Sequence, residues 1–254
     1  MFRTLPLFLA IFLLSSAAVA QTPTAAYAAQ DYAAYQKSPF ANRMWDSYVQ
    51  EGFAALDRQD AAGAIEFLRK AVGEGCESPL VYFKLALGYE ALGSYYSAIQ
   101  YYEQAKVQFA KANKDHRYNR EFDANYGRAL YMMGQTEKAL PVLEKAAKTS
   151  DSFWLLKLLG DVALSKDDYL TATAYFERAL RSNDPDLTGE AQLDMALTLA
   201  RIYAKQNQTD GAKRYYQKVL EIDPNNQEAK KYLSSFKGQD SGTYDKIFEI
   251  LEKH

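Results

Sequence analysis

Residues 82–105 read YFKLALGYEALGSYYSAIQYYEQA, and this stretch decides the fold. Tyr82, Leu85, Ala86 and Tyr89 recur at intervals of three and four, which places them on one face of a helix. Gly93 interrupts the pattern, and Ala98, Tyr102 and Ala105 then write a second helical stripe. A small residue lets two helices approach, and a bulky one a turn later fills the adjacent groove. The stretch therefore reads as a helix, a tight turn and a second helix folded back on the first.

The second stripe is written five times. Ala64, Ala98, Ala139, Ala172 and Ala212 lie 34, 41, 33 and 40 residues apart. Each is followed four positions on by a bulky residue: Leu68, Tyr102, Leu143, Phe176 and Tyr216. Upstream, Gly52, Ala86, Gly127, Gly160 and Ala200 recur within the first stripe, where two backbones must come close. Five residues before each anchor alanine stand Gln59, Gly93, Gly134, Asp167 and Asn207. Four of these are types that tolerate the left-handed backbone ending a helix. The turn thus supports the register independently of the stripes.

These residues resemble the tetratricopeptide repeat family and its pattern W-x2-L-G-x2-Y…A-x3-F…P. The resemblance covers about residues 45–226, in frames 45–78, 79–112, 120–152, 153–186 and 193–226. It implies an all-α, right-handed helical-repeat solenoid of about five helix pairs, because one pair cannot bury its apolar face alone. Residues 227–236 follow as a capping helix, with Ala229, Tyr232, Leu233 and Phe236 on one face. Two residues depart from the family pattern: Glu51 stands where Leu is preferred and Asp123 where a bulky apolar residue is. Residues 113–119 and 187–192 are insertions, expected to lengthen helices rather than form loops.

The chain ends read differently. Met1–Ala20 has a basic Arg3, an apolar run Leu5–Leu14 and a small-residue stretch ending Ala18-Val19-Ala20. This is the pattern of a cleaved signal peptide, too short to span a bilayer, with no cysteine nearby for lipid attachment. The expectation is an exported, soluble, non-lipidated protein of the periplasm or cell envelope. Residues 21–43 read as a tether or a short helix lying on the first repeat. At the other end, a linker precedes Tyr244, Ile247, Phe248 and Leu251, which share one face of an amphipathic helix. That helix would dock on its own chain or grip a partner.

Composition removes several function classes. Apolar residues are 48% and aromatic ones 14%, so the bulk of the chain is not disordered. A net charge of −2 argues against a nucleic-acid partner, although Lys111, Lys114, Arg117 and Arg120 form one basic stripe. A single cysteine excludes an internal disulfide and a cysteine-rich zinc site. Cys76 is expected to be a buried, inert thiol, and His116 and His254 to be solvated. No phosphate-binding, dinucleotide-binding or metal-hydrolase motif occurs, so no cofactor, no metal and no enzyme activity is expected.

By the resemblance, positions 2, 5, 9 and 12 of each first helix line a concave binding surface. This implicates Val49 and Phe53, Phe83 and Leu87, Arg128 and Tyr131, Trp154, Lys157 and Asp161, and Arg201. The first two repeats would offer an apolar groove, open to a partner or filled by residues 24–43 or 243–253. The last three would be mixed aromatic and charged. A clamp for a chaperone C-terminal carboxylate is not supported, because Phe53 and Leu87 occupy positions where it needs polar residues. The reading is a non-enzymatic adaptor for a protein or peptide segment in an envelope, secretion or pilus assembly. The alternative is a structural module that self-associates through the groove or the C-terminal helix.

Overall fold

The computed structural model describes residues 28–111 and 116–236. Among these there are twelve helices and no strand. The signal-like segment 1–20 and the amphipathic segment with Tyr244, Ile247, Phe248 and Leu251 lie outside the described residues. The chain divides into two compact units after Ala146.

The first unit holds α1 (Ala28–Gln36) and three pairs: α2 (Asp46–Asp57) with α3 (Ala61–Gly73), α4 (Pro79–Ala91) with α5 (Tyr95–Lys111), and α6 (His116–Met132) with α7 (Thr136–Ala147). The second unit holds α8 (Phe153–Ser165) with α9 (Tyr169–Leu180), α10 (Gly189–Lys205) with α11 (Thr209–Ile222), and α12 (Gln227–Ser234). Helices α5, α6 and α10 each run 17 residues; of the insertion 187–192, residues 189–192 open α10 while 187 and 188 lie in the connection before it, and residues 112–115 lie outside the described residues.

Each pair is closed by the same turn. Gln59, Gly93, Gly134, Asp167 and Asn207 all have φ between 56° and 74°. In every case that residue and the next donate back across the helix end. Gly93 N–H reaches the Glu90 carbonyl at 2.8 Å and Ser94 N–H reaches Tyr89 at 2.9 Å. Asp167 and Asp168 reach Leu164 and Ala163 in the same way, both at 3.0 Å. This double bond satisfies the last carbonyls of the first helix and turns the chain sharply. Asp60 and Asp168 then cap the second helix through their side chains. Gln59, the one residue of the five whose type does not favour it, takes the left-handed form as well, so pairing overrides local preference.

The small-over-large contact is equally regular. A methyl placed on Gly52 would lie 2.5 Å from Leu68 Cδ2, and one on Gly127 would lie 2.7 Å from Leu143 Cγ. Gly160 is pressed against the Phe176 ring in the same way. The anchor alanines and the bulky residues four positions on are buried in all five pairs. The core therefore runs between the helices of each pair and, within each unit, on to the neighbouring pair.

The two departures have simple outlets. Glu51 is exposed, and Asp123 is held by Lys145 of the paired helix at 2.7 Å. At the C-terminal end α12 buries Ala229 and Leu233 and stacks Tyr232 on Tyr216, with ring centroids 4.5 Å apart.

Candidate protein-binding site

In the first unit the inner face of the first helices is occupied. Helix α1 lies on α2, and its Tyr35 is buried, with its ring edge-on to Phe53 at 6.4 Å. Tyr32 donates its hydroxyl to Asp46 Oδ2 at 2.8 Å. Asp31 pairs with Lys84 of α4 at 2.5 Å, with side-chain exposures of only 2% and 11%. Burial pushes the Tyr35 hydroxyl up to about 12. Burial likewise pushes the neighbouring Cys76 thiol up, consistent with an inert, unionised group. Residues 28–36 are thus a docked helix and not a free tether.

Of the two readings of the apolar groove, open to a partner or filled by the chain's own ends, the first repeat shows the second, with Tyr35 of α1 against Phe53. Val49 and Phe53 are sealed, the latter under Tyr35. Phe83 is sealed by a different neighbour: Tyr102 and Phe122 flank its ring at 6.0 and 5.9 Å. The lengthened α6 carries Phe122 into this aromatic cluster, which Phe109 and Tyr126 extend. Leu87 is half-buried.

Arg128 also departs from its expected role. Its Nε donates to Glu90 Oε1 at 2.6 Å and its Nη2 to Asn125 Oδ1 at 2.9 Å. The other Glu90 oxygen accepts the Tyr102 hydroxyl at 2.7 Å. Burial alone would push the Arg128 guanidinium down, and the Glu90 carboxylate outweighs it. Burial and the same carboxylate hold the Tyr102 hydroxyl well above its ordinary value. Arg128 is therefore one corner of an internal network joining α4, α5 and α6, not an anchor offered to a partner. Tyr131, one turn on, is half-buried.

The second unit presents a different face. Lys157 and Asp161 pair along α8 at 2.9 Å with both side chains more than a third exposed. Burial pushes the Asp161 carboxyl up, Lys157 pulls it back, and Asp194 of α10 adds repulsion. Asp194 and Arg201 are exposed on α10, and Leu197 between them is half-buried. Arg201 forks onto Glu228 of α12, its Nε and Nη2 donating to the two oxygens at 2.9 and 2.5 Å. Trp154 opens α8, half-buried. The inner-face positions of α8 and α10 thus carry charges of both signs, with Asp161 and Asp194 facing each other and Leu197 among them.

Among the described residues no group of three His, Cys, Asp or Glu is placed to hold a metal ion. No described helix is long and apolar enough to cross a membrane.

Profiles for tetratricopeptide repeats match residues 151–225 and 80–106. The chain is a tetratricopeptide repeat protein. Solved structures agree on the fold. PilF of Pseudomonas aeruginosa is similar at 23% identity and a TM-score of 0.52, over 83% of this chain and 97% of that one. A MamA fragment from Desulfovibrio magneticus RS-1 is similar at 18% identity and a TM-score of 0.56, over 73% and 98%. YrrB, described as a TPR protein with an unusual peptide-binding site, is similar at 17% identity and 0.54, over 80% and 96%. A search among curated proteins gives no match. At these identities the likeness is one of fold.

In the tetratricopeptide repeat frame Glu90 sits at a lining position as counted, and its acidity beside an apolar run was the available signal for a buried partner. Sequence reasoning missed two functional-looking residues. Lys84 lies one position after Phe83, off the four lining positions, yet it receives Asp31. Asp31 itself stands in an alanine-rich stretch with no repeat to index it.

Proposed function

We propose that this tetratricopeptide repeat protein is an exported, non-enzymatic adaptor that holds a protein segment on the inner face of α8 and α10. The observation that carries the reading is the contrast between units. In the first, the corresponding face is closed by α1 at Phe53, by Tyr102 and Phe122 at Phe83 and by Glu90 at Arg128; in the second, Asp161, Asp194, Leu197 and Arg201 remain accessible. Apolar contacts at Leu197 and Trp154 would supply affinity, and the charges of both signs would fix the register of a bound segment. The peptide-binding site named for YrrB supports this class of ligand. The signal-like Met1–Ala20 supports export, and with it an envelope, secretion or pilus assembly as the setting.

The test compares the mature chain with a Trp154→Ala/Arg201→Glu variant of equal helicity. The adaptor reading expects one envelope protein to co-purify stoichiometrically with the first and not with the second. Equal recovery by both contradicts it. A stable homo-oligomer with no retained partner would instead favour self-association. Fusion of residues 1–24 to a reporter active only outside the cytoplasm checks export, and an inactive fusion would refute that part.

A further inference from the structure

The contacts of α1 have the character of a ligand seated in a receptor. Lys84 lies at the bottom of the inner face, 11% exposed, and its ammonium meets a carboxylate that is itself 2% exposed. A cation buried so deeply tolerates only an anionic partner, since any neutral or basic occupant would leave it desolvated and unpaired. Phe53 beside it takes an aromatic ring, and Asp46 takes a hydroxyl. The three groups that answer are Asp31, Tyr32 and Tyr35, one turn of helix apart. The opposite side of α1 offers Gln30, Ala33 and Gln36 to solvent.

We propose that the inner face of α2 and α4 is a receptor for a helical protein segment bearing a carboxylate four residues before a tyrosine, and that α1 is a tethered copy of that ligand. Nine residues are too few for a stable lone helix, so α1 keeps its form only while docked. It joins α2 through Ala41, Asn42, Arg43 and Met44, all exposed, and can leave without unwinding α2. Once it leaves, water reaches Lys84 and the face is ready for an external helix of the same chemistry. This site is separate from the second-unit face, so either can fail without the other.

A tethered segment acts at an effective concentration of about 1 mM. A free peptide making the same few contacts would bind with a Kd of about 100 µM. Self-occupancy therefore masks the site by about tenfold.

The probe is a fluorescein-labelled peptide of residues 28–37, followed by anisotropy. The full chain is compared with an Asp31→Ala/Tyr35→Ala variant, whose α1 no longer fits. The released variant is expected to bind about tenfold more tightly than the unmodified chain. Adding Lys84→Glu should abolish binding, and a peptide carrying Asp31→Lys should restore it. Equal affinity for both chains, or indifference to the charge at Lys84, overturns the proposal. Hydrogen exchange on the unmodified chain gives a second reading that needs no variant to fold. The α1 amides should open while α4 stays protected, and faster with peptide present. Opening of α1 only together with α4 also overturns it.

Discussion

Glu90→Leu tests the internal network of the first unit. Glu90 accepts from Arg128 at 2.6 Å and from Tyr102 at 2.7 Å, and the Arg128 and Glu90 side chains are 13% and 5% exposed. Removing the carboxylate strands a guanidinium in a nearly dry pocket, which costs about 3–5 kcal/mol. The Tyr102 hydroxyl loses its acceptor too, at about 1–3 kcal/mol. These losses share one group and do not add, so about 4 kcal/mol is expected. Glu90→Gln keeps an acceptor for Tyr102 and should cost about half as much. The triple change Glu90→Leu/Arg128→Met/Tyr102→Phe removes all three polar groups together and should recover most of the loss. Urea unfolding followed by circular dichroism reads each variant, with exchange protection of α4 and α6 confirming that the first unit is the one affected. A loss under about 1 kcal/mol for Glu90→Leu, or a triple variant no better than the single, would refute the argument. Arg128 would then be reaching water.

Further outcomes follow from the turn, the interhelical contact and the cap. Gly93→Ala and Gly134→Ala meet no neighbouring atom within 4 Å, so their loss of about 1 kcal/mol in urea unfolding should be purely one of left-handed backbone. Gly127→Ala gains about 1 kcal/mol of helix propensity but drives a methyl into Leu143, for a net loss of about 1 kcal/mol. Gly160→Ala should cost more in the same assay, because the Phe176 ring cannot bend aside as a leucine can. Arg201 holds the Glu228 carboxyl below its usual range, helped by the Tyr216 hydroxyl. A depressed carboxyl contributes stability above the unfolded value of about 4.3 and loses it as pH falls through the folded one. Arg201→Gln should therefore destabilise the second unit at pH 7 and make little difference at pH 3, read by thermal unfolding at both.

The repeat was legible because its signals are local. An alanine and a bulky residue four apart, and a left-handed turn five before, are set by contacts inside one helix pair, which recurs. Gln59 shows the limit of residue type, since its backbone follows the repeat and not its own preference. The inner face was less legible. Positions counted along a repeat say which side a residue faces, not what covers it. Val49 and Phe53 face inward as counted and are buried, Phe53 under Tyr35 of α1, which lies outside the repeats. Phe83 is covered by Phe122 of the following repeat and Tyr102 of its own, a contact between neighbouring helices that counting lining positions does not give. Arg128 has the right position for a partner and an internal carboxylate within reach, and the shorter contact wins. In the second unit the insertion 187–192 brings no side chain of its own onto the inner positions Asp194 and Arg201, which are exposed as counted.

The adaptor account is tested most directly by a photo-crosslinking residue placed at Leu197 on the inner face and, separately, at Lys218 on α11. The account predicts one protein adduct from position 197 in envelope preparations, lost with Arg201→Glu, and none from position 218. Adducts of equal yield from both positions, or an adduct at 197 indifferent to Arg201, would contradict it.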